Sequence, residues 1–272
     1  MNKIAIIGYG RFGALLCDLL APKYEIAVVE THTSRQNVVT EKSLRLVELS
    51  DLGGYDTIIF AVPISTFEEV VSEASQYISD SQLVMDISSV KVHPANILRK
   101  HLSHAKLIAT HPMFGPDSAS KGLKGLQVAV CPLNVTQHTV DDVVSFWEAI
   151  GTDVLITTPE SHDKDAVLSL AFTHSIAKVI SGMNISDVQL TTRSFNDIVE
   201  VAKLSANDSD QLFHDMLFYN PYFREMKKSF LLSLHSLVGR LEEIEKEQIE
   251  AGFFTDSTSH FDDQQINVTG SN

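Results

Sequence analysis

The stretch KIAIIGYGRFG, Lys3–Gly13, decides the fold. A short apolar run breaks on Gly8, Gly10 and Gly13 and gives way to a helical pattern over Phe12–Leu20. A Gly-x-Gly-x-x-Gly spacing is weak alone, but between a strand and a helix each glycine acquires a separate task. Gly8 permits the tight turn, Gly10 lets the backbone approach a pyrophosphate, and Gly13 lets helix and strand pack closely. The helix N-terminus then offers N–H groups to phosphate oxygens. Tyr9, Arg11 and Phe12 fill the intervening positions of this candidate dinucleotide loop, Arg11 either adding a cation or facing solvent.

Further apolar runs follow at Tyr24–Glu30, Thr57–Val62, Leu83–Ser88 and Lys106–His111, with two more at Leu126–Val130 and Asp153–Thr158. Unbroken apolar runs suit parallel strands covered on both faces. Helical patterns over Thr66–Tyr77, His93–His101 and Val140–Ile150 alternate with them, which predicts a Rossmann-type doubly wound α/β sheet. Ligands of such sheets collect at the carboxyl ends of strands, so Val62 and Pro63 join the candidate cofactor set. Glu30 ends the second run twenty positions after Gly10. A carboxylate there suits the ribose hydroxyls of NAD and repels the 2′-phosphate of NADP. NADP remains the alternative, because Thr31, His32, Ser34 and Arg35 offer phosphate partners if the strand end shifts.

Beyond Pro159 the β-rich runs thin out and the pattern becomes helical. Apolar residues at Phe223, Met226, Phe230, Leu234, Leu237, Leu241 and Ile244 form one stripe on a long helix. The stripe suits either the chain's own core or a seam against a second copy. The expected division is a dinucleotide-binding domain over 1–159, an all-helical dimerisation and substrate domain over 160–250, and a loose polar tail over 251–272.

The 272 residues carry 35 acidic against 21 basic side chains, a net charge of −14, which argues against a nucleic-acid partner. A small anionic substrate remains compatible, since a few local cations can dominate a pocket. No apolar run reaches the ~20 residues of a membrane span, and residues 1–7 are too short for a signal peptide. A cytoplasmic location is expected, and the Asn-x-Thr matches at Asn134 and Asn267 then carry no information. Cys17 and Cys131 read as free buried thiols rather than a disulfide. No metal-ligand spacing is present.

Two motifs end later strands. DISSVK, Asp86–Lys91, puts two hydroxyls and an ammonium after a strand, although Ser88 or Ser89 would equally serve as a helix N-cap. THPMFGPDS, Thr110–Ser118, puts His111 at a strand end, with Pro112 biasing its backbone to an extended form. A histidine at the carboxyl edge of a nucleotide-binding sheet reads as an acid/base candidate, against the commoner structural role.

GYGRFG, DISSVK and HPMFGPDS together resemble the prephenate/arogenate dehydrogenases of tyrosine biosynthesis. The likeness continues through ESHDKDAVLSLAFTH, Glu160–His174, where the family has a His-Asp pair and a later histidine, and covers about residues 1 to 245. It implies a Rossmann domain joined to a helical dimerisation domain, and oxidative decarboxylation of prephenate or arogenate. By resemblance His111 is the catalytic histidine and Ser89 the serine that hydrogen-bonds near the ring hydroxyl. Lys91 would attract a carboxylate or support the site, Gly115 belongs to the substrate loop, and His174 faces substrate or packs in the core. Many members carry a Gly-Phe-Arg-Asp-like stretch whose arginines meet a substrate carboxylate. Here SFND places Asn196 instead, leaving Arg193 and Lys203 as nearby cations. Thr191–Asn220 looks more like the plant-type arogenate branch, in which Asp208 would pair with the amino group of arogenate; capping a helix is its other reading. The rival functions are another Rossmann hydroxy-acid or imine dehydrogenase, and a non-catalytic NAD-binding regulator.

Overall fold

The structure is a computed structural model that describes residues 2–183, 185 and 188–253. Most of the tail expected over 251–272 lies outside the described residues. The chain forms two compact units, the first comprising Met1–Ala166 with Asp210–Pro221, the second Val167–Ser209 with Tyr222 onward.

The first unit is built on eight strands: β1 (Lys3–Ile7), β2 (Glu25–Val29), β3 (Arg45–Leu46), β4 (Thr57–Phe60), β5 (Leu83–Asp86), β6 (Lys106–Pro112), β7 (Gln127–Asn134) and β8 (Asp153–Ile156). They lie in the order β3-β2-β1-β4-β5-β6-β7-β8. The reversal of direction across β1 is the switch point at which such sheets bind ligands. Along β1, Ile4 and Ile6 enter one core cluster with Val28, Met85 and Trp147, whereas Ala5 and Ile7 enter another with Ile58, Phe60 and Val84. Strand side chains alternate between faces. Burial on both faces therefore explains the unbroken apolar runs of the central strands, while the edge strand β8 leaves Leu155 and Ile156 exposed.

The strands pair in parallel except β6 with β7, which are antiparallel. This departs from an all-parallel sheet, and the reason is the connection. Between β6 and β7 the chain forms only the four-residue helix α5 (Pro116–Ala119), too short to carry a parallel crossover. The other crossovers use α1 (Arg11–Leu20), α2 (Thr33–Glu41), α3 (Ile64–Ala74), α4 (Val92–His101) and α6 (Gln137–Glu148).

The boundary between units differs from the division expected at 159. Helix α7 (Pro159–Ala166) belongs to the first unit, and so does α10 (Asp210–Phe218), which lies far along the chain. Both supply distant caps to sheet helices. Pro63 precedes α3 without a side-chain cap of its own, and the buried Asp215 of α10 accepts the Ser65 N–H at 3.1 Å. Asp163 of α7 accepts the N–H groups of Lys91 and Val92 at 2.6 and 2.9 Å, where α4 begins. The rings of His93 and Tyr219 stack at 4.4 Å, and Asn220 donates to the Asp163 carbonyl at 2.9 Å. Helix ends leave N–H groups unpaired, so each carboxylate fixes the end it caps.

The second unit opens with a π-helical turn over Val167–Phe172 and continues through α8 (Thr173–Gly182), α9 (Arg193–Ala206) and α11 (Phe223–Glu250). Phe172 meets Phe230 edge-on at 5.4 Å. The long helix expected from Phe223 is present, but of its apolar stripe only Met226 is buried. Cys17 and Cys131 are free and buried, and burial pushes both thiols up to about 12. No helix among the described residues is long and apolar enough to cross a membrane.

Replacing Asp215 with Ala should lower stability by about 1–2 kcal/mol, the usual worth of a helix cap. The urea midpoint would report it; an unchanged midpoint would show that water replaces this carboxylate on α3.

Candidate active site

The glycine loop joins β1 to α1 with a backbone that admits no substitute at two positions. Gly8 has φ +103°, and a Cβ there would stand 2.5 Å from the Ala61 carbonyl oxygen, with Val62 also in contact. A Cβ on Gly13 would collide with the Gly8 carbonyl. Gly10 is different: a Cβ there meets no described atom within 4 Å, so its smallness leaves open space at the start of α1. Helix α1 has no side-chain cap and no acidic residue in its first turn. An uncapped N-terminus beside such a space fits the pyrophosphate of a dinucleotide.

Glu30 follows β2 and is buried. Its Oε2 accepts the Tyr9 N–H at 2.9 Å, and its Oε1 accepts those of Thr31 and His32 at 2.8 and 2.9 Å. Burial pushes this carboxyl up, but the three amides, with Arg35 at 3.7 Å, more than reverse that and hold it below the usual range. Tyr9 contributes its backbone N–H to the loop, while its ring packs into the core with Leu16 and Val28. Val62 is partly buried against the loop, and Pro63 is exposed where α3 begins.

Arg11 and Phe12 point to the other motif. The Arg11 guanidinium donates to Asp117 at 2.8 Å, and the Phe12 ring lies 5.9 Å from that of Phe114. Asp117 and Phe114 belong to HPMFGPDS, so an ion pair and a ring contact tie the glycine loop to the segment that follows His111. Gly115 sits between them, with open space around its Cα.

His111 lies near the end of β6 and is 6% exposed. Burial, with the Lys91 ammonium close by, holds it well below the usual histidine range and so favours its neutral form. Its Nδ1 is 2.9 Å from Nε2 of His162, whose own Nδ1 is 2.8 Å from Oδ1 of Asp163. This row of buried groups, His111–His162–Asp163, spans β6 and α7. The motif ESHDK contains both new members, and only the absence of a predicted partner for them hid their position.

Lys91 is fully buried. Its ammonium binds the Asp86 carboxylate and donates to the Thr110 carbonyl at 2.5 Å. Of the two expected roles, attracting a carboxylate or supporting the site, this geometry fits the second: its donors are turned inward onto the strand that carries His111. The hydroxyls of Ser88 and Ser89 are buried without a hydrogen-bond partner among the described residues. A buried polar group is rarely left unpaired, so these two hydroxyls fit a ligand at the end of β5.

In the second unit, His174 on α8 and Asp208 come together at 3.4 Å, both partly buried. Burial lowers His174, and Asp208 partly offsets this. Arg193 begins α9 and is exposed, and Lys203 on the same helix is paired with Glu200 at 3.0 Å. Among the described residues no cluster is arranged to hold a metal ion.

Comparison with known proteins matches residues 28–156 to the family described as prephenate dehydrogenase, nucleotide-binding domain, and residues 179–252 to TYRAAT1-like, C-terminal domain. The nucleotide-binding part of the chain, residues 28–156, thus matches the prephenate dehydrogenase family. It is similar to arogenate dehydrogenase 2, chloroplastic, of Arabidopsis thaliana, 25% identical over 92% of this chain and 74% of that one. It is also similar to a probable arogenate/prephenate dehydrogenase of Methanocaldococcus jannaschii, 26% identical over 76% of this chain and 48% of that one. The fold is shared with A. aeolicus prephenate dehydrogenase solved in complex with hydroxyphenyl propionate and NAD+, at a TM-score of 0.67 and 19% identity, covering 92% of this chain and 98% of that one. The Rossmann sheet and the helical region are therefore shared with that structure.

The glycines separate packing from ligand binding. Gly8→Ala should cost about 1–3 kcal/mol in backbone strain. Gly10→Ala should change stability by less than about 1 kcal/mol yet weaken NAD+ binding in a calorimetric titration. Unchanged NAD+ affinity in Gly10→Ala would remove the loop from the cofactor site.

Proposed function

We propose that this chain is an NAD-dependent dehydrogenase that oxidatively decarboxylates prephenate or arogenate, with His111 as its acid/base. The observation that carries the reading is a neutral, buried histidine at a strand end whose following loop is tied to the glycine loop by Arg11 and Asp117. A general base must be unprotonated at working pH, and His111 meets that condition.

The bound dinucleotide supplies an acceptor for the hydride at the substrate's hydroxyl-bearing ring carbon. His111 takes the hydroxyl proton as that carbon becomes a carbonyl. The carbonyl draws the electrons of the bond to the ring carboxylate, CO2 leaves, and the ring becomes aromatic. His111 then returns its proton to the phenolate oxygen, so no net proton is released. Aromatisation drives the sequence, and the residues mainly position and polarise. The Ser89 hydroxyl is assigned to the ring hydroxyl, with Gly115 leaving room beside it.

Glu30 supports NAD rather than NADP. Three backbone amides keep its carboxyl ionised, and an anion at that position opposes a 2′-phosphate. To the far end of the substrate the family likeness assigns His174 and Asp208, the carboxylate suiting the amino group of arogenate. Arg193 and Lys203 remain the cations for a substrate carboxylate in place of the family's arginine, which is Asn196 here. A non-catalytic regulator would have no use for a neutral histidine backed by a second histidine and a carboxylate.

The second unit supports a homodimer. Leu234, Leu237, Leu241 and Ile244 share one face of α11 and are 41–55% exposed. A run of large apolar side chains left open to water marks an association surface.

Mixing the chain with prephenate or arogenate and either cofactor should produce NADH absorbance with NAD+. His111→Asn should lower kcat by about 10²–10⁴-fold and leave NAD+ affinity intact. Because the His111 pKa is depressed, kcat/KM should stay level as pH falls through about 6.5 and decline only below it. No turnover of either substrate would sink the assignment.

Leu237→Glu combined with Leu241→Glu should halve the mass measured by light scattering. A wild-type chain of monomer mass would remove the dimer.

A further inference from the structure

We propose that His162 and Asp163 are positioning residues that fix the ring tautomer of His111, placing its proton on Nδ1 and leaving Nε2 as the basic atom. The proposal rests on the reading of His111 as the acid/base and explains which of its two nitrogens acts.

The inference starts at Asp163. Its Oδ1 faces the Lys91 N–H at 2.6 Å and its Oδ2 faces the Val92 N–H at 2.9 Å. A backbone N–H can only donate, so both oxygens of this carboxylate are acceptors. The third contact, His162 Nδ1 at 2.8 Å from Oδ1, must then be a donor as well. His162 thus carries its proton on Nδ1. In a neutral imidazole the other nitrogen bears a lone pair. Nε2 of His162 therefore accepts, and the atom 2.9 Å away, Nδ1 of His111, donates to it. One lone pair remains in the row, on Nε2 of His111.

In this proposal His162 is the neutral ring of the row, passing on a hydrogen bond rather than carrying a charge. The Asp163 carboxylate lies at the N-terminus of α4, where the helix dipole already stabilises an anion, and α4 has no acidic residue of its own in its first turn. Among the described residues, Lys91 and Asp86, which pair with each other, and the Thr110 carbonyl lie beside this row. A second cation at His162, 5% exposed and next to His111, would oppose proton uptake by His111 during turnover. With His162 neutral, the imidazolium formed at His111 keeps its Nδ1–H bond, and the row conveys part of its charge toward Asp163. Asn220, by donating to the Asp163 carbonyl, holds α7 at this position from α10.

The test uses the full chain labelled with ¹⁵N-histidine. The His111 signals are assigned by their loss in His111→Asn. The expected spectrum has Nδ1 protonated and Nε2 unprotonated at neutral pH. His162→Gln keeps an acceptor at the same place, through its amide oxygen, and should retain both the signature and most of the turnover. His162→Leu removes the acceptor; it should shift the proton of His111 onto Nε2 and lower kcat by about 10²–10⁴-fold, with NAD+ affinity and KM little changed. A wild-type spectrum with Nε2 protonated overturns the proposal, as does a His162→Leu chain that keeps both the wild-type signature and its turnover. If His162→Leu does not fold, the wild-type spectrum decides alone. The catalytic reading fails separately: a correct tautomer with full activity in His111→Asn leaves the row intact and removes its role in the reaction.

Discussion

The buried ammonium of Lys91 is the constraint on which the site depends. A fully buried cation is tolerated only when its donors are satisfied, and losing one partner of such a pair costs about 3–5 kcal/mol. Lys91 meets this requirement through the Asp86 carboxylate at the end of β5 and the Thr110 carbonyl on β6. Asp86 in turn accepts the Ser88 N–H at 3.1 Å, and the Thr110 hydroxyl donates to the Asp86 carbonyl at 2.6 Å. The two strand ends are thus locked in register immediately before Ser89 and His111. The backbone N–H of the same lysine reaches Asp163, so one residue links β5, β6 and α7. The site's histidines sit on either side of that link.

Most of the fold was legible because its signals are local. Seven of the strands announce themselves as apolar runs, and the glycine spacing identifies the turn after the first. Two elements had no such signal. Strand β3 is two exposed residues, Arg45 and Leu46, which contribute almost nothing to the core. Helix α2, TSRQNVVTE, buries only Val39 and has no apolar stripe to reveal it. The antiparallel turn at β6 and β7 was obscured for a different reason: residue pattern gives a strand's burial and says nothing of its direction. The place of α10 in the first unit is a matter of distant hydrogen bonds, Asp215 to Ser65 above all, which span 150 positions of sequence.

The site divides the same way. His111 could be read from the sequence because a strand end, a following proline and a nucleotide loop all bear on it. Lys91 was read with its chemistry right and its direction open, since a lysine after a strand can extend into a ligand pocket or fold back. Folding back won because Asp86 lies five positions earlier on the strand end and offers a buried carboxylate. His162 and Asp163 were visible only as members of a likeness. Their adjacency in sequence conceals opposite tasks: the imidazole meets β6, while the carboxylate caps α4.

That division of labour explains why the acid belongs at this place. A carboxylate bonded directly to His111 would raise its pKa and leave it protonated at the pH at which it must accept a proton. A lone buried histidine would be neutral but free to choose either tautomer. Interposing His162 separates the two effects. The charge of Asp163 stays one imidazole away, beside helix amides that stabilise it, while the direction of its hydrogen bond passes through the intervening ring. Burial then sets His111 neutral, and the row sets which nitrogen is bare. The same burial that removes water from His111 is what makes the geometry of its contact with His162 decisive.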